Sequence, residues 1–254
     1  MTGAARNTIT TLLVQLGEAC SAYQDAQLRN LSSKRVQADE IWSFVYAKAK
    51  NVPDDKRDTF GFGDVWTWTA IDPDSKLVFS WIVGPRDVFT AKVFMRDVAS
   101  RLANRVQLTT DANKPYLWAV DDAFGGEIDY AMLIKDYGLT ASEDESPTAR
   151  RYSPNEVRSM EVRVITGTPD EDYISTSNVE RQNLTMRMSM RRFTRLTNGF
   201  SKKVENHAAM VSLHFMAYNF AKPHGSLGKN RTPAMAAGVA DYVWTCDEIA
   251  ALLD

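Results

Sequence analysis

Residues 65–83 read VWTWTAIDPDSKLVFSWIV and contain the clearest structural signal in the chain. Both halves of this stretch are rich in Trp, Thr, Val and Phe, which favour β-strands. Between them, the Asp-Pro-Asp-Ser sequence at 72–75 supplies the residue types of a tight turn. The stretch therefore predicts a β-hairpin whose tryptophans, Trp66, Trp68 and Trp81, pack in the core rather than stack on bases.

The segments on either side of the hairpin alternate between strand and helix patterns. Residues 36–47 predict a strand, and residues 90–102 predict an amphipathic helix. Residues 106–110 predict a short buried strand that ends directly at Asp111, and residues 115–123 predict a helix that begins with proline. A hairpin joined to alternating strands and helices predicts an α/β fold with a mixed sheet flanked by helices.

Three further helices are predicted outside this central region. Helical spacing of apolar residues predicts one helix over 8–27, and similar patterns predict helices over 178–192 and 204–220. Residues 139–153 are polar and include Pro147, which predicts a loop or an insertion.

Composition limits the classes of protein to which the chain can belong. Of its 254 residues, 44% are hydrophobic and 24% are charged, as in ordinary globular proteins. The only cysteines are Cys20 and Cys246, which excludes a disulfide framework or a four-cysteine zinc site. The sequence has no apolar stretch that could cross a bilayer, no secretory signal and no Walker-type loop. It therefore predicts a reduced cytoplasmic protein with no membrane and no nucleotide cofactor.

Charge is distributed unevenly along the chain, although the formal net charge is only −2. Between residues 181 and 231 the only acid is Glu205. The basic residues of this block are Arg181, Arg187, Arg191, Arg192, Arg195, Lys202, Lys203, Lys222, Lys229 and Arg231. Such a block can bind a phosphate backbone, or it can be the solvated face of helices, and both interpretations stay open.

Asp39 lies inside the first predicted strand, where an acid needs an explanation. A buried carboxylate without a partner is costly, so Asp39 must form a structural salt bridge or bind a cation. Alternation along the strand places Ile41 and Ser43 on the same face as Asp39 and places Glu40 on the other face. Glu40 is therefore the poorer candidate ligand, because we expect it to point away from Asp39.

Asp111 and Glu180 are two further acids at chemically useful positions. Asp111 directly follows a strand, where α/β sheets often place ligands, although an N-cap of the next helix is an equal alternative. Glu180 lies early in a predicted helix, with Asn183, Arg187 and Arg191 following at helical spacing. Taken alone, Glu180 would be an ordinary first-turn glutamate. Together the acids suit phosphodiester transfer, which uses two magnesium ions held by carboxylates.

The sequences around these acids resemble the three catalytic motifs of bacterial insertion-sequence DDE transposases. The motifs are QADEIWSFV at 37–45, TTD at 109–111 and NVERQN at 178–183. Three later segments are also similar to that family, namely TNGFSKK at 197–203, YNFAKPHGSL at 218–227 and TPA at 232–234. The group that fits best is the one built on the first-described insertion sequence, and the similarity covers essentially the whole chain.

This resemblance implies a ribonuclease-H-like catalytic core that uses Mg²⁺, or Mn²⁺ in its place, to cut transposon ends and join them to target DNA. Asp39 and Asp111 would hold metal between them, and Glu180 would complete the site. The implied partners are the transposon ends, the target DNA and further copies of the chain, so a homo-oligomer on DNA is expected. The implied setting is the bacterial cytoplasm, with the protein on the nucleoid when it is bound to DNA.

The N-terminus resembles part of a helix-turn-helix. Residues 2–9 are similar to the turn and the start of the recognition helix, whereas the supporting first helix and any zinc-binding segment of longer relatives are missing from the sequence. The chain is therefore expected to be a fragment or a truncated copy. The alternative interpretation of residues 8–27 is simply a packing helix. The resulting division is 1–34 for the helix-turn-helix remnant and linker helix, 35–235 for the catalytic domain and 236–254 for a tail helix.

The residues expected to contact DNA come from the first helix, the basic block and a late loop. They are Arg6, Asn7, Asn183, Arg187, Arg191, Arg192, Lys202, Lys203 and His224. His207 and His214 lack the tightly spaced partners of a zinc site, so a structural or phosphate-contacting role is expected for them. His224 is expected to touch the scissile phosphate if it lies beside the three acids.

Three functional hypotheses follow from the sequence. The leading one is an active or once-active transposase, on the basis of the three acid motifs and the basic block. The second is a truncated protein that only binds DNA or the full-length enzyme and restrains transposition. The third is an interaction protein with a decayed active site, and the intact acids argue against it.

Overall fold

The computed structural model describes residues 3–138, 156–194 and 197–254. These residues form an α/β fold in which helices flank a six-stranded mixed sheet. The strands are β1 Arg35–Val45, β2 Gly63–Ile71, β3 Val78–Gly84, β4 Gln107–Asp111, β5 Asp129–Gly138 and β6 Glu156–Thr166. The helices are α1 Arg6–Gln27, α2 Val88–Arg101, α3 Pro115–Phe124, α4 Ser177–Ser189, α5 Val204–Met216, α6 Pro233–Ala236 and α7 Cys246–Ala250. None of the helices in these ranges is long and apolar enough to span a bilayer.

The sheet is built around β1, and its strands lie in the order β3-β2-β1-β4-β5-β6. β1 pairs antiparallel with β2 and parallel with β4, and β4 runs parallel to β5. The outer strands β3 and β6 pair antiparallel with β2 and β5. The parallel strands β1, β4 and β5 therefore direct their carboxyl ends to one edge of the sheet.

Two buried clusters cover the two faces of the sheet. One contains Ala38 of β1 and packs it with Phe94 of α2. The other contains Ile41 of β1 and packs it with Met186 of α4 and Phe215 of α5. Ala38 and Ile41 differ by an odd number of positions on one strand, so their side chains point to opposite faces. β1 is therefore packed against a buried cluster on each of its two faces.

The hairpin predicted from residues 65–83 is confirmed and consists of β2 and β3. Its turn is stabilised by Asp72, whose side chain accepts a hydrogen bond from the Asp74 N–H at 2.8 Å. Trp68 is fully buried, and Trp81 packs against both core clusters. Core packing is thus confirmed for these two tryptophans.

Most other predicted elements are present with shifted ends. The helices predicted over 8–27, 90–102 and 178–192 correspond to α1, α2 and α4. The helix predicted over 204–220 divides into α5 and a π-helical turn, Ala217–Ala221. The predicted loop at 139–153 lies outside the described residues.

Strands β5 and β6 have no counterpart among the sequence-based predictions. β5 contains the apolar run at 130–134 soon after two glycines, which is a pattern of a buried strand. By contrast, residues 157–165 of β6 are exposed. β6 is therefore held in the sheet by its pairing with β5 and not by burial of a hydrophobic face. Such pairing leaves little alternation of apolar and polar residues in the sequence.

Helix α1 packs closely against α5. A Cβ atom at Gly17 would lie 2.5 Å from atoms of Ala209, so only glycine allows the two helices this approach. Gln24 of α1 is buried and donates a hydrogen bond to the Ser212 carbonyl oxygen at 3.2 Å. Packing is therefore one role of α1. The described residues show no helix-turn-helix arrangement, and the remnant stays a prediction.

His207 joins three parts of the fold from a fully buried position. One ring nitrogen lies 3.1 Å from the Ser43 hydroxyl on β1, and the other lies 2.9 Å from the Ser201 hydroxyl before α5. Burial, with the Arg192 charge adding to it, lowers the pKa of His207 to about 4. The ring is thus neutral at pH 7, where one nitrogen donates and the other accepts. This is a structural role, one of the two expected from the sequence.

We expect His207→Phe to lower the free energy of unfolding by about 1–3 kcal/mol, because the buried hydrogen bonds to the Ser43 and Ser201 hydroxyls are both lost. Thermal unfolding followed by circular dichroism measures the decrease. His214 offers the matched control, since it lies on the same helix and its Nε2 has no hydrogen-bond partner among the described residues. His214→Phe should leave the Tm unchanged or higher. Equal decreases in the two variants would contradict the role given to His207.

Candidate metal centre

The register of two parallel strands brings Asp39 and Asp111 together. Ala38 of β1 is paired with Thr110 of β4, so the next residue on each strand is one of the two acids. Asp111 is also the last residue of β4, and among the described residues no strand continues β4 along the rest of β1. Carboxylate oxygens of Asp39, Glu40 and Asp111 lie within 4.8 Å of one another. The end of a parallel strand thus opens a gap into which three acids converge.

Asp39 is partly buried, and both of its oxygens accept hydrogen bonds. Oδ1 accepts from the Glu40 backbone N–H at 2.8 Å, and Oδ2 accepts from the side-chain amide of Asn183 at 2.8 Å. Burial, followed by the negative charges of Asp111 and Glu40, raises the pKa of Asp39 to about 8. The Asp39 carboxyl group is therefore held in a fixed orientation in surroundings that disfavour its charge.

Asp111 lies where β4 ends, within reach of donors from two loops. Its Oδ1 accepts from the Asn113 backbone N–H at 3.0 Å, and its Oδ2 lies 3.7 Å from the Arg86 guanidinium. Burial raises the pKa of Asp111, the Asn113 hydrogen bond and the Arg86 charge oppose that rise, and Glu180 adds to it. The N-cap of α3 is Lys114, so the alternative in which Asp111 caps that helix is wrong.

Glu40 belongs to the same cluster, and the prediction that it points away from Asp39 is wrong. Its buried carboxylate accepts hydrogen bonds from Arg86 at 2.6 Å, Asn113 at 2.7 Å and Tyr116 at 2.9 Å. Burial, then the charge of Asp111, raises the pKa of Glu40 to about 7, while Arg86 opposes the rise. Alternation fixes only the direction of the Cβ atom, and the open side of β1 past the end of β4 lets the longer side chain turn toward Asp111.

Glu180 lines the same cavity from the first turn of α4, outside the group formed by Asp39, Glu40 and Asp111. Its Oε1 accepts a hydrogen bond from the Thr176 hydroxyl at 2.6 Å and forms an ion pair with Lys135. The charge of Glu180 also contributes to the raised pKa values of Asp39 and Asp111. One cavity of about 680 Å³ is lined by these three acids and by Lys135. The structure thus brings together all three acids named from the sequence.

The chemistry of this cavity suits a divalent metal ion. Burial and mutual repulsion keep the carboxylates from ionising together, and their raised pKa values express both effects. A cation between Asp39 and Asp111 would relieve the repulsion, and magnesium prefers hard oxygen ligands of this kind. Positive charge is otherwise supplied from the walls, by Lys135 and by Arg86, which is stacked 4.6 Å from the Trp66 ring centre. The donor set therefore fits magnesium or manganese.

Several groups at this centre were not identified from the sequence. They are Glu40, Arg86, Asn113, Tyr116, Lys135 and Thr176. Only Lys135 carries a signal that could have been used, because it is a charged residue at the end of an apolar run in β5. Glu40 lies on β1, where alternation predicts the wrong direction for its side chain, and the others come from loops and helix starts, for which the sequence predicts no side-chain direction.

Five of the residues expected to contact DNA line one groove between α1 and the start of α5. They are Arg6, Asn7, Arg192, Lys202 and Lys203. This α1–α5 groove has a volume of about 960 Å³, and Glu205 is the only acid among the described residues that line it. The charged side chains that line the groove therefore give it a net positive charge.

The other expected DNA contacts lie elsewhere. Asn183 is buried and its amide faces Asp39, which makes it a positioning residue for that carboxylate. Arg187 is partly buried on the same helix, and Arg191 is exposed just beyond the helix end. His224 is expected to touch the scissile phosphate only if it lies beside the three acids. It lines a separate cavity, so this expectation does not apply.

Comparison with known proteins gives no match, either to a family model or to a curated protein sequence. The functional conclusion therefore depends on the arrangement of the site. It consists of three carboxylates that come from two neighbouring parallel strands and one helix and that line one open cavity.

Proposed function

We propose that this chain is a DDE transposase with a ribonuclease-H-like core, which cuts and joins DNA with the help of divalent metal. The observation that carries the proposal is the meeting of Asp39, Asp111 and Glu180 at one cavity, from β1, β4 and α4. The order and directions of β1 to β5 agree with the fold that the sequence resemblance implies. A homo-oligomer on DNA in the cytoplasm belongs to the same proposal.

The residues of the cavity have separate parts in this chemistry. Bound magnesium ions would activate the attacking oxygen and stabilise the leaving oxygen of a phosphodiester. Asp39 and Asp111 would hold the metal, and Asn183 keeps Asp39 in orientation by donating a hydrogen bond to its Oδ2. Glu180 would complete the ligand set in place of its ion pair with Lys135. Lys135 is then free to pair with a phosphate oxygen of the substrate.

The α1–α5 groove supports DNA as the substrate. Three of its basic residues, Arg192, Lys202 and Lys203, belong to the basic block of the sequence, and Arg6 joins them from α1. Guanidinium and ammonium groups along one groove bind a phosphate backbone without regard to sequence. The proposal therefore assigns the backbone of the transposon end to this groove.

The direct test uses DNA that flanks the gene, because this DNA carries the transposon ends if the gene belongs to a mobile element. We expect the purified chain to nick or join a labelled duplex of that sequence with Mg²⁺ or Mn²⁺ and to do neither with EDTA. A duplex of the same length with shuffled sequence serves as the control. Binding without cleavage of either duplex would contradict catalysis and favour a truncated regulatory protein.

A further inference from the structure

A second cavity lies on the opposite side of α4 from the carboxylates, with a volume of about 490 Å³. Arg181, Gln182 and Thr185 of α4 line it, and their spacing places them on one face of the helix. Glu180 and Asn183, which face the metal centre, lie on the other face of the same helix. One helix therefore separates two chemically different cavities. The second is called the Gln182 cavity below.

The Gln182 cavity is lined by positive charge alone. Its cations are Lys76 from the β2–β3 turn, Arg181 from α4 and Lys222 from the segment after α5, and His224 lies beside them. No carboxylate of the described residues lines it. Lys76 donates to the Asn178 side-chain oxygen at 2.7 Å, which is a neutral partner and leaves its charge uncompensated. These cations together attract an anion.

The charges of these cations act together on His224. Burial lowers the pKa of His224, and the charges of Lys76, Lys222 and Arg181 lower it further. Three cations therefore act on the same small volume. Within the described ranges, no salt bridge neutralises any of them.

Gln182 provides an independent observation. The residue lines the cavity and is only 2% exposed, and its Nε2 is buried without a hydrogen-bond partner among the described residues. An unpartnered buried amide donor costs free energy, and native structures rarely keep one without a reason. A rotation of the side chain that exposes Nε2 to the cavity would let an oxygen-rich anion accept this hydrogen bond. Charge and the orphaned donor thus indicate the same kind of ligand.

We propose that the Gln182 cavity binds a backbone phosphate of a single DNA strand, held by Arg181, Lys222 and the Gln182 amide. The proposal rests on the proposed function, because the strand in question is the one processed at the carboxylates. A cavity of about 490 Å³ admits a phosphate with its neighbouring sugar, but it is too small for a duplex. Since α4 carries ligands on both faces, phosphate binding on one side fixes the helix that presents Glu180 on the other.

The first test measures the binding of a fluorescein-labelled single-stranded oligonucleotide in EDTA, where no cleavage occurs. We expect Arg181→Gln/Lys222→Gln to raise the Kd at least about tenfold and to reduce the salt dependence of log K by about 0.7 for each phosphate that is no longer neutralised. Lys50→Gln/Arg57→Gln is the matched control, because it removes the same charge from a loop that does not line the cavity. Equal Kd values and equal salt slopes for the two double variants would overturn the proposal.

Inorganic phosphate distinguishes a DNA strand from a small phosphate ligand. Millimolar phosphate should raise the Tm of the wild type and not that of Arg181→Gln/Lys222→Gln. If phosphate binding is abolished in this variant while its oligonucleotide affinity matches the control, a small ligand occupies the cavity and the DNA assignment is overturned.

Gln182→Met separates a ligand role from a structural one. Removing an orphaned donor should raise the Tm of the ligand-free protein by about 2–4 °C and weaken oligonucleotide binding. A lower Tm with unchanged binding would mean that Gln182 is structural and would overturn its place in the proposal. If the wild type cleaves no DNA but its oligonucleotide binding depends on Arg181 and Lys222, the cavity assignment stands and only the proposed function fails.

Discussion

Asp39→Asn and Asp111→Asn are each expected to reduce metal-dependent DNA cleavage by at least about 1000-fold, because each removes several kcal/mol of metal-based stabilisation from the transition state. The two residues have this effect because the Ala38–Thr110 register places them side by side at the end of β4. An amide keeps the shape of the side chain and removes its charge. Single-turnover cleavage of the flanking-DNA duplex, with Mg²⁺ in excess, measures the change.

The matched control for this decrease is Asp54→Asn/Asp55→Asn. Both residues are exposed in the loop between β1 and β2, and neither lines the carboxylate cavity. This variant should cleave at the wild-type rate. Circular dichroism of all variants checks that they are folded. Cleavage by Asp39→Asn within a few-fold of the wild type would contradict the role of this residue.

The metal-free protein is expected to become less stable as the pH rises from about 4 to about 8, and Asp39→Asn is expected to remove much of that decrease. In the folded protein, burial and the neighbouring acids raise the pKa of Asp39 to about 8, whereas its ordinary value is 3.8. The folded state therefore binds more protons than the unfolded chain in this window, so unfolding becomes easier as the pH rises. Glu40, with its pKa raised to about 7, acts in the same direction.

The Asn variant can form the same contacts as protonated Asp39. The Asn183 side-chain oxygen is buried and has no partner among the described residues, so a flipped amide at Asn183 can accept a hydrogen bond from either form. In EDTA at pH 8 we expect a Tm for Asp39→Asn that is higher than wild type by about 2–4 °C for each kcal/mol of relieved repulsion. At pH 5 the two proteins should unfold together.

Bound metal is expected to reverse the order of the Tm values of the wild type and Asp39→Asn. Mg²⁺ at pH 8 should raise the Tm of the wild type, because it binds the folded state only, and should leave Asp39→Asn unchanged. Scanning calorimetry at both pH values, with and without metal, gives all four comparisons. A lower Tm for Asp39→Asn than for wild type in EDTA at pH 8 would show that the Asp39 charge stabilises the fold, contrary to the expected destabilisation.

The sequence predicted the parts of the fold that have a strong local signal. The hairpin at 65–83 has a turn sequence and β-rich flanks, and the helices at 90–102 and 178–192 have apolar residues at helical spacing. β6 has neither, because its described residues are exposed and its position depends on pairing with β5. Long-range pairing of this kind leaves no periodicity in a single chain.

The candidate site likewise combines residues that the sequence predicts with residues whose positions depend on long-range contacts. The sequence predicts Asp39, Asp111 and Glu180 only in combination, from the motifs that surround them, since Glu180 alone is an ordinary first-turn glutamate. Alternation alone predicts that Glu40 points away from Asp39, and it carries no information on where the neighbouring strand β4 ends, which is at Asp111. Which loop supplies Arg86 depends on how strands are ordered in the sheet, and no local pattern carries that information.

Calorimetric titration of the metal-free protein with Mn²⁺ at pH 8 tests the metal centre most directly. We expect the wild type to bind with a heat that changes with the ionisation enthalpy of the buffer, since binding displaces protons from carboxyl groups whose pKa values are raised. Asp39→Asn/Asp111→Asn should show no such binding, and Asp54→Asn/Asp55→Asn should bind as the wild type does. Equal binding by wild type and Asp39→Asn/Asp111→Asn would contradict a metal centre at these carboxylates.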